Sequence, residues 1–205
     1  QARNFYDTIY NRWFLEATCL GKYPEEALHF LEQWLPENWV QDLDSIATHV
    51  DWYGVNYYTR KLLRTSKDVP LPAVEDHAGS LPQTTMGWEI YPSGIGEFLG
   101  RVHAVSGSET PIYITENGMS ADDVVSEGRV DDGARIAYID AHLSEVKKSI
   151  TDGVPVAGYF IWSLLDNFEW SLGYDKRFGL VHVDFKSHER TPKASWYALR
   201  EALRV

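Results

Sequence analysis

Three short apolar runs alternate with helical patterns, and this alternation limits the fold of the chain more than any other feature of its sequence. The runs are residues 50–58, 111–118 and 156–162, rich in β-branched and aromatic side chains as buried strands are. The connections between them are long enough for crossovers, so the strands are expected to pair in parallel. The sequence therefore predicts an α/β fold of three consecutive βα units. Three such strands cannot close a barrel, which takes about eight.

Helices are predicted where apolar residues recur at intervals of three and four. The predicted helices cover residues 5–13, 23–35, 41–48, 93–107, 136–150 and the chain from 193 onward. Residues 61–86 carry three prolines and no periodicity, which predicts a long loop. Loops of that length are usually functional or disordered, and we expect this one to border the site. An acidic loop at 121–132 and a two-strand-like run at 179–185 complete the pattern.

Charge and hydropathy exclude several classes of partner. The 205-residue chain has 30 acidic and 19 basic side chains, a formal net charge of −11, which repels nucleic acid and anionic membrane surfaces. No apolar run approaches the ~18 residues that span a bilayer. Because the sequence has neither a signal peptide nor an Asn-x-Ser/Thr sequon, we expect a cytoplasmic location.

The sequence offers little support for a metal or a nucleotide cofactor. Cys19 is the only cysteine, and no Cys/His grouping has zinc-site spacing; His182 and His188 are interpreted as scattered surface residues. The glycines at 94, 96 and 100 have the wrong spacing for a dinucleotide fingerprint, and no strand precedes them. We therefore expect neither group.

A carboxylate stands at the end of the second predicted strand. In parallel α/β folds the C-terminal strand ends carry the chemistry, because the strand holds a side chain rigidly while the following loop opens to substrate. Glu116 is therefore the leading candidate for a reactive group. The alternative is a solvated glutamate that enters a turn, since Asn117-Gly118 is foremost a turn signal.

The other strand ends bring polar and aromatic side chains to the same edge. Asn56 and Tyr58 close the first strand, and Trp162 begins a stretch that runs through Glu169 to Trp170. Indole faces stack on the C–H faces of a pyranose, and a carboxylate accepts hydrogen bonds from neighbouring hydroxyls. This set suits sugar chemistry. Aromatic residues make up 14% of the chain, which agrees with ring stacking on an uncharged ligand but equally with a Trp-rich core.

These runs resemble glycoside hydrolase family one, the retaining β-glucosidases and β-galactosidases with a (β/α)8 TIM barrel. The resemblance covers nearly all of the chain, in the order that the family has. Its seven runs are residues 11–15 with 21–24, 54–59, 87–90, 114–118, 158–170, 176–180 and 190–193. Any one of them is a weak signal, whereas seven in family order are highly specific.

The resemblance implies a role for each candidate residue. Glu116 would be the catalytic nucleophile, which attacks the anomeric carbon to form a glycosyl-enzyme, and Tyr58 would hydrogen-bond that carboxylate and keep it ionised. The implied substrate-binding residues are Asn56 beside the nucleophile, Trp162 under the sugar ring, Glu169 on two hydroxyls, Trp170 with its indole N–H on another, Phe178 on the apolar wall and Trp88 at the aglycone entrance.

Residue 169 also bears on the substrate. In the family's phosphoglycosidases this position is typically serine, because a phosphate on the sugar's O6 could not lie against a carboxylate. Glu169 therefore resembles the enzymes that act on unphosphorylated sugars, and the expected substrate is a β-D-glucoside or a related glycoside. Glucoside, galactoside and fucoside are not separated by these residues.

The sequence departs from the family in what it lacks. A retaining glycosidase needs a second carboxylate as general acid and base, and the family's Asn-Glu-Pro motif does not occur here. Residues 1–205 therefore resemble the C-terminal portion of one barrel domain, strands six to eight, which a complementary N-terminal segment would complete. The lone chain is expected to be inactive and prone to aggregate. The alternative is a carbohydrate-binding or structural remnant whose sugar binding depends on Trp162 and Trp170 and ignores Glu116.

Overall fold

The computed structural model describes residues 2–68, 74–77, 79–107 and 109–204. The helices are α1 (Ala2–Asp7), α2 (Trp13–Leu20), α3 (Glu25–Leu31), α4 (Trp39–Ile46), α5 (Ser93–Ser106), α6 (Gly133–Thr151) and α7 (Ala194–Ala202). The strands are β1 (Tyr53–Asn56), β2 (Leu63–Thr65), β3 (Val74–Asp76), β4 (Ile112–Asn117), β5 (Val156–Ile161), β6 (Val181–Val183) and β7 (Arg190–Pro192). All the predicted helices are present, and all but the first lie within a few residues of their predicted bounds.

The chain divides into two compact units, which are described separately. The first comprises residues 1–53, 61–79 and 100–110, and the second comprises 54–60, 80–99 and 111–205.

The first unit is mainly helical. A π-helical segment (Thr8–Arg12) joins α1 to α2, so the predicted first helix continues to Leu20 with one widened turn. Arg101 donates two hydrogen bonds to the carboxylate of Asp7, at 2.6 and 2.8 Å. Trp13 stacks on Tyr23 with ring centroids 3.8 Å apart. These contacts hold helices that are too short to be stable alone.

The predicted loop at 61–86 is not free of regular structure. Strands β2 and β3 pair antiparallel within it, with Leu63 opposite Asp76. The prediction of an unbroken loop was therefore wrong, because a three-residue strand gives too short a pattern to be recognised in sequence. Residues 69–73 and 78 of that segment lie outside the described residues.

The second unit contains the sheet with strand order β1-β4-β5. β4 pairs with β5 in parallel, as predicted, with Ile112 opposite Val156. Ile112 and Ile114 are fully buried, which agrees with a strand covered on its inward face. β1 is only four residues long and covers the middle of the predicted run at 50–58.

α6 buries polar residues as well as apolar ones. Ile139 and Val146 of its apolar stripe are buried and Ile150 is 50% exposed, whereas Arg135 and His142 are almost completely buried. The buried stripe includes polar residues because each finds a hydrogen-bond partner inside the unit, which periodicity of apolar residues cannot show.

The predicted two-strand run at 179–185 was wrong in its pairing. Only β6 lies there, and its antiparallel partner is β7, with Val181 opposite Pro192. The second strand of this pair therefore begins five residues beyond the predicted run.

The second unit encloses an ionic cluster, which consists of Asp123, Asp132, Arg135, Asp166, Arg177 and Lys193. Lys193 Nζ lies 2.8 Å from Asp166 Oδ1 and 2.5 Å from Asp123 Oδ2. Three acidic and three basic side chains balance in charge. Two of the acids come from the segment predicted as an acidic loop, so part of that loop turns its charges inward.

None of the helices in the described ranges is both long enough and apolar enough to cross a bilayer.

Candidate active site

Glu116 lies in β4, and a phenol from the end of β1 holds it. Tyr58 Oη donates to Glu116 Oε2 over 2.6 Å. The backbones of the two strands are joined at the same point, since Tyr57 N–H donates to the Glu116 carbonyl oxygen at 2.9 Å. The two residues that the sequence predicted as nucleophile and partner are therefore in direct contact.

Tyr58 is a hydrogen-bond donor throughout the ordinary pH range. Burial raises the pKa of its phenol, and the hydrogen bond to Glu116 and the charges of Glu116 and Glu169 raise it further. A phenol that stays protonated stabilises the ionised form of the carboxylate that it contacts. Ionised carboxylate is the form that acts as a nucleophile.

The ring of Tyr58, which contacts Glu116, packs with two other aromatic rings. The ring centroids of Tyr58 and Trp88 are 5.4 Å apart, those of Tyr58 and Phe178 are 6.1 Å apart, and those of Trp88 and Phe178 are 6.2 Å apart. Phe178 is buried and Trp88 is half-buried. The structure thus brings two of the predicted sugar-binding aromatics to the tyrosine that contacts Glu116.

Asn56 lies one residue before Tyr57 at the end of β1, and its side chain contacts the neighbouring strand. Thr115 Oγ1 donates to Asn56 Oδ1 over 2.6 Å, and Asn56 is exposed. This hydrogen bond links Asn56 to Thr115, the residue before Glu116 in β4, and its predicted role beside the nucleophile stays a prediction.

Trp162 follows β5 and is tied to the end of β4. Its backbone N–H donates to the Asn117 carbonyl oxygen at 2.9 Å, and the peptide bond between Trp162 and Ser163 is cis. A Cβ on Gly118 would lie 1.9 Å from the Trp162 carbonyl oxygen, so only glycine allows this approach. Asn117-Gly118 was predicted as a turn, and in the structure Gly118 leaves room for the backbone of Trp162, directly after β5.

Glu169 and Trp170 lie on the loop that follows. Burial raises the pKa of Glu169, and the negative charge of Glu116 raises it further. Trp170 begins a 3-10 turn (Trp170–Leu172) with φ +43°, and its side chain is 80% exposed. An indole so exposed has a free face for stacking. Its predicted hydrogen bond to a sugar hydroxyl remains a prediction.

Sequence reasoning missed residues that hold this site. Asn117 was interpreted as part of a turn, yet it ends β4 and is completely buried. Asp166 lies in the quoted motif, and only its contacts show that it anchors the chain: it accepts from Gly179 N–H at 2.9 Å and pairs with Lys193 and Arg177. For Asn117, the available signal was its position directly after the carboxylate of a predicted strand. Nothing in the sequence distinguished Asp166 from the other acidic residues.

The site combines the Glu116 carboxylate, a phenol that donates to it, the carboxylate of Glu169 and aromatic side chains. Among the described residues, no group of three or more His, Cys, Asp or Glu could hold a metal ion. Carboxylates that accept hydrogen bonds and aromatic faces that stack on C–H groups are the groups that suit a polyhydroxylated ring.

Known proteins are similar to this sequence over most of its length. Residues 1–204 match the sequence model of Glycosyl hydrolase family 1. The chain belongs to that family. Beta-glucosidase A of Thermotoga maritima is 47% identical over 188 residues, which are 90% of this chain and 42% of that protein. The 6-phospho-beta-galactosidase of Staphylococcus haemolyticus is 37% identical over 98% of this chain and 49% of that protein.

A solved structure of the family agrees with the fold. The family 1 b-glucosidase from Thermotoga maritima superposes with a TM-score of 0.93 at 44% identity, over 98% of this chain and 46% of that chain. This family member thus has an α/β fold like that of its relatives. It spans about half the length of the relatives that it matches, 42% to 49% of the curated proteins above.

Proposed function

We propose that this chain is the C-terminal catalytic portion of a retaining β-glycosidase that hydrolyses unphosphorylated β-D-glucosides or related glycosides by double displacement. Glu116 attacks the anomeric carbon, and the aglycone leaves with the bonding electrons and a proton from a general acid on the N-terminal portion. Water, deprotonated by the same group, then releases the sugar from Glu116. The observation that carries the proposal is the 2.6 Å hydrogen bond from Tyr58 to Glu116 at the strand end.

The surroundings of Glu116 support a sugar ligand. Trp88 and Phe178 supply apolar wall next to Tyr58, and the exposed indole of Trp170 can stack or donate. Glu169 accepts hydrogen bonds from hydroxyls in this proposal. No group in this set needs a cofactor.

The negative charges of the site support an unphosphorylated substrate. Glu116 and Glu169 interact closely enough for the first to raise the pKa of the second. A phosphate on the sugar would add a third negative charge next to these two carboxylates. Some relatives are named 6-phospho-beta-galactosidases, and for this chain we propose the opposite preference.

The open sheet supports completion by an N-terminal barrel segment. Among the described strands of this sheet, β1 and β5 each have a neighbour on one side only. Phe160 of β5 is 59% exposed, so this edge strand presents a large apolar side chain to solvent. We propose that residues 1–205 form one barrel domain together with that segment.

The test is trapping of the glycosyl-enzyme. The chain, completed by its N-terminal segment, is treated with 2,4-dinitrophenyl 2-deoxy-2-fluoro-β-D-glucoside, whose leaving group needs no general acid. Intact mass should rise by one fluoroglucosyl group, and peptide mapping should place it on Glu116. Glu116→Gln should abolish labelling, and the 6-phosphorylated reagent should label far more slowly.

The remnant alternative makes a different prediction in the same experiment. If the chain is only a carbohydrate-binding or structural remnant, Glu116 is not labelled. Glucose binding then survives Glu116→Gln but is lost in Trp170→Ala. That outcome would overturn the proposed function.

A further inference from the structure

A buried chain of hydrogen bonds surrounds Asn117, the residue after Glu116. Asn117 is completely buried, and its Nδ2 donates to the Tyr57 carbonyl oxygen at 2.7 Å and to Tyr138 Oη at 3.1 Å. Its Oδ1 accepts from Tyr159 Oη. The amide therefore uses both of its donor hydrogens and its acceptor within the protein.

Tyr138 extends this chain to the backbone of the nucleophile's partner. Its hydroxyl, which accepts from Asn117, donates to the Tyr58 carbonyl oxygen at 3.2 Å. The side chain is 2% exposed and stacks on His142 at a centroid distance of 3.9 Å. His142 Nδ1 lies 2.8 Å from the Tyr138 carbonyl oxygen. We call Asn117, Tyr138 and Tyr159 the brace.

All the titratable groups of the brace are neutral at ordinary pH. Burial raises the pKa of Tyr138 and of Tyr159, so both keep their hydroxyl hydrogens. Burial lowers the pKa of His142, which is therefore uncharged beneath the Tyr138 ring. The hydrogen bonds of the brace do not change direction between weakly acidic and weakly basic pH.

We propose that the brace is a positioning device, which fixes the phenol of Tyr58 on the carboxylate of Glu116. Asn117, the residue after Glu116, donates to the Tyr57 carbonyl oxygen, and Tyr138 of α6 donates to the Tyr58 carbonyl oxygen. Tyr159 of β5 in turn donates to Asn117. The proposal rests on the function proposed above.

The geometry explains why the brace would matter for chemistry. The Tyr58 ring reaches Glu116 from the main chain just beyond the end of β1, where Tyr57 N–H still bonds to the Glu116 carbonyl oxygen and the Tyr58 carbonyl oxygen accepts from Tyr138 Oη. Without the brace this segment could shift, and a shift of about 1 Å is enough to break a hydrogen bond of 2.6 Å. The ionised form of Glu116 would then lose its donor. The titratable groups that act on this pair from the described chain are Glu169 and Tyr138.

The test is Tyr138→Phe, which deletes only the Tyr138 hydroxyl from the brace. The rate of Glu116 labelling by the fluoroglucoside is measured from pH 4 to pH 8 on the completed barrel. We expect the rate on the plateau to fall about tenfold, because the nucleophile is less well held. We also expect the acidic limb of the profile to move to higher pH, because the ionised carboxylate loses a donor. Tyr159→Phe, which releases Asn117 Oδ1, should change both in the same direction but less.

Tyr57→Phe is the matched control. It deletes the hydroxyl of another buried tyrosine, the residue before Tyr58, but that hydroxyl donates to the Tyr91 carbonyl oxygen at 2.6 Å and its side chain takes no part in the brace. The control should lower the unfolding temperature comparably and keep the wild-type pH profile.

The outcomes separate this inference from the proposed function. If wild type is labelled and Tyr138→Phe behaves like Tyr57→Phe in both readouts, the brace has only a structural role and the inference is overturned. If Tyr138→Phe does not fold, the same judgement rests on Tyr159→Phe. An unlabelled wild type would overturn the proposed function, and this inference with it.

Discussion

At the scale of single residues, Glu169 shows a conflict between stability and binding. Its carboxylate is half-buried near Glu116, and both burial and that charge raise its pKa. The folded protein therefore disfavours the ionised form, which predominates at neutral pH. Residues that are unfavourable for folding and well placed for a ligand are typical of binding sites.

Glu169→Gln should accordingly raise the unfolding temperature at pH 7 while it weakens sugar binding. The sign follows from the raised pKa: the wild-type carboxyl destabilises the fold when ionised and ceases to do so as it gains a proton. The stability difference should shrink as the pH falls toward about 4, where an ordinary glutamate is protonated. Thermal unfolding of both variants at several pH values measures this.

Glu189→Gln is the control, because it removes a carboxylate that is exposed on the surface. It should change the unfolding temperature little at any pH. A Glu169→Gln protein that is less stable than wild type at pH 7 would contradict the electrostatic account.

At the scale of elements, the junction between β4 and β5 sets the position of the site. Gly118 follows β4 directly, and the Trp162 backbone passes close over its Cα. The same junction is closed by the hydrogen bond from Trp162 N–H to the Asn117 carbonyl oxygen. The indole predicted to lie under the sugar is therefore placed by a main-chain contact that only a glycine permits.

Gly118→Ala should displace this junction. The added methyl would meet the Trp162 carbonyl oxygen at 1.9 Å and its carbonyl carbon at 2.9 Å, both main-chain atoms that cannot rotate away. We expect a loss of about 1–3 kcal/mol in the free energy of unfolding, with weaker sugar binding as Trp162 moves. Denaturant unfolding and ligand titration measure the two effects.

Gly100→Ala is the matched substitution. Gly100 lies within α5, has no heavy atom within 4 Å of an added Cβ, and needs no positive φ. The change should stabilise the protein by about 0.5–1 kcal/mol, as expected for a helix interior. Equal losses at both glycines would show that the close approach to Trp162 does not decide the result.

At the scale of the whole molecule, the acidic and basic side chains of the ionic cluster cancel in charge, whereas those outside it do not. The ionic cluster has three acidic and three basic side chains, so the formal net charge of −11 is carried outside it. Burial opposes the ionised form of Asp166, but its bonds to Lys193 and Arg177 outweigh burial and lower its pKa. The cluster also anchors the segment between Trp162 and Phe178, since Asp166 accepts from Gly179 N–H.

Acid should therefore unfold the protein through this cluster. A carboxyl with a lower pKa in the folded state stabilises fully above its unfolded value, about 3.9, and loses that contribution as the pH falls through the folded value. Asp166→Asn should lower the free energy of unfolding at pH 7 by about 3–5 kcal/mol, because Lys193 stays buried with fewer partners. The variant should also show a smaller dependence of stability on pH below 4.

Asp140→Asn provides the comparison, since Asp140 is exposed on α6. It should leave both the stability at pH 7 and its acid dependence nearly unchanged. A flat stability profile of the wild type below pH 4 would count against the role given to Asp166.

The sequence by itself determined the order of the βα units, the strand that carries Glu116, and the family to which the chain belongs. Those features rest on local periodicity and on motifs that are contiguous in the chain, such as the run at 114–118. The tertiary structure alone decided which polar groups are inside. Asn117, Arg135 and Asp166 are hydrophilic in any local pattern, and they are buried because partners from distant segments satisfy their hydrogen bonds and charges. Such partners lie far apart in sequence, so no window of neighbouring residues can reveal them.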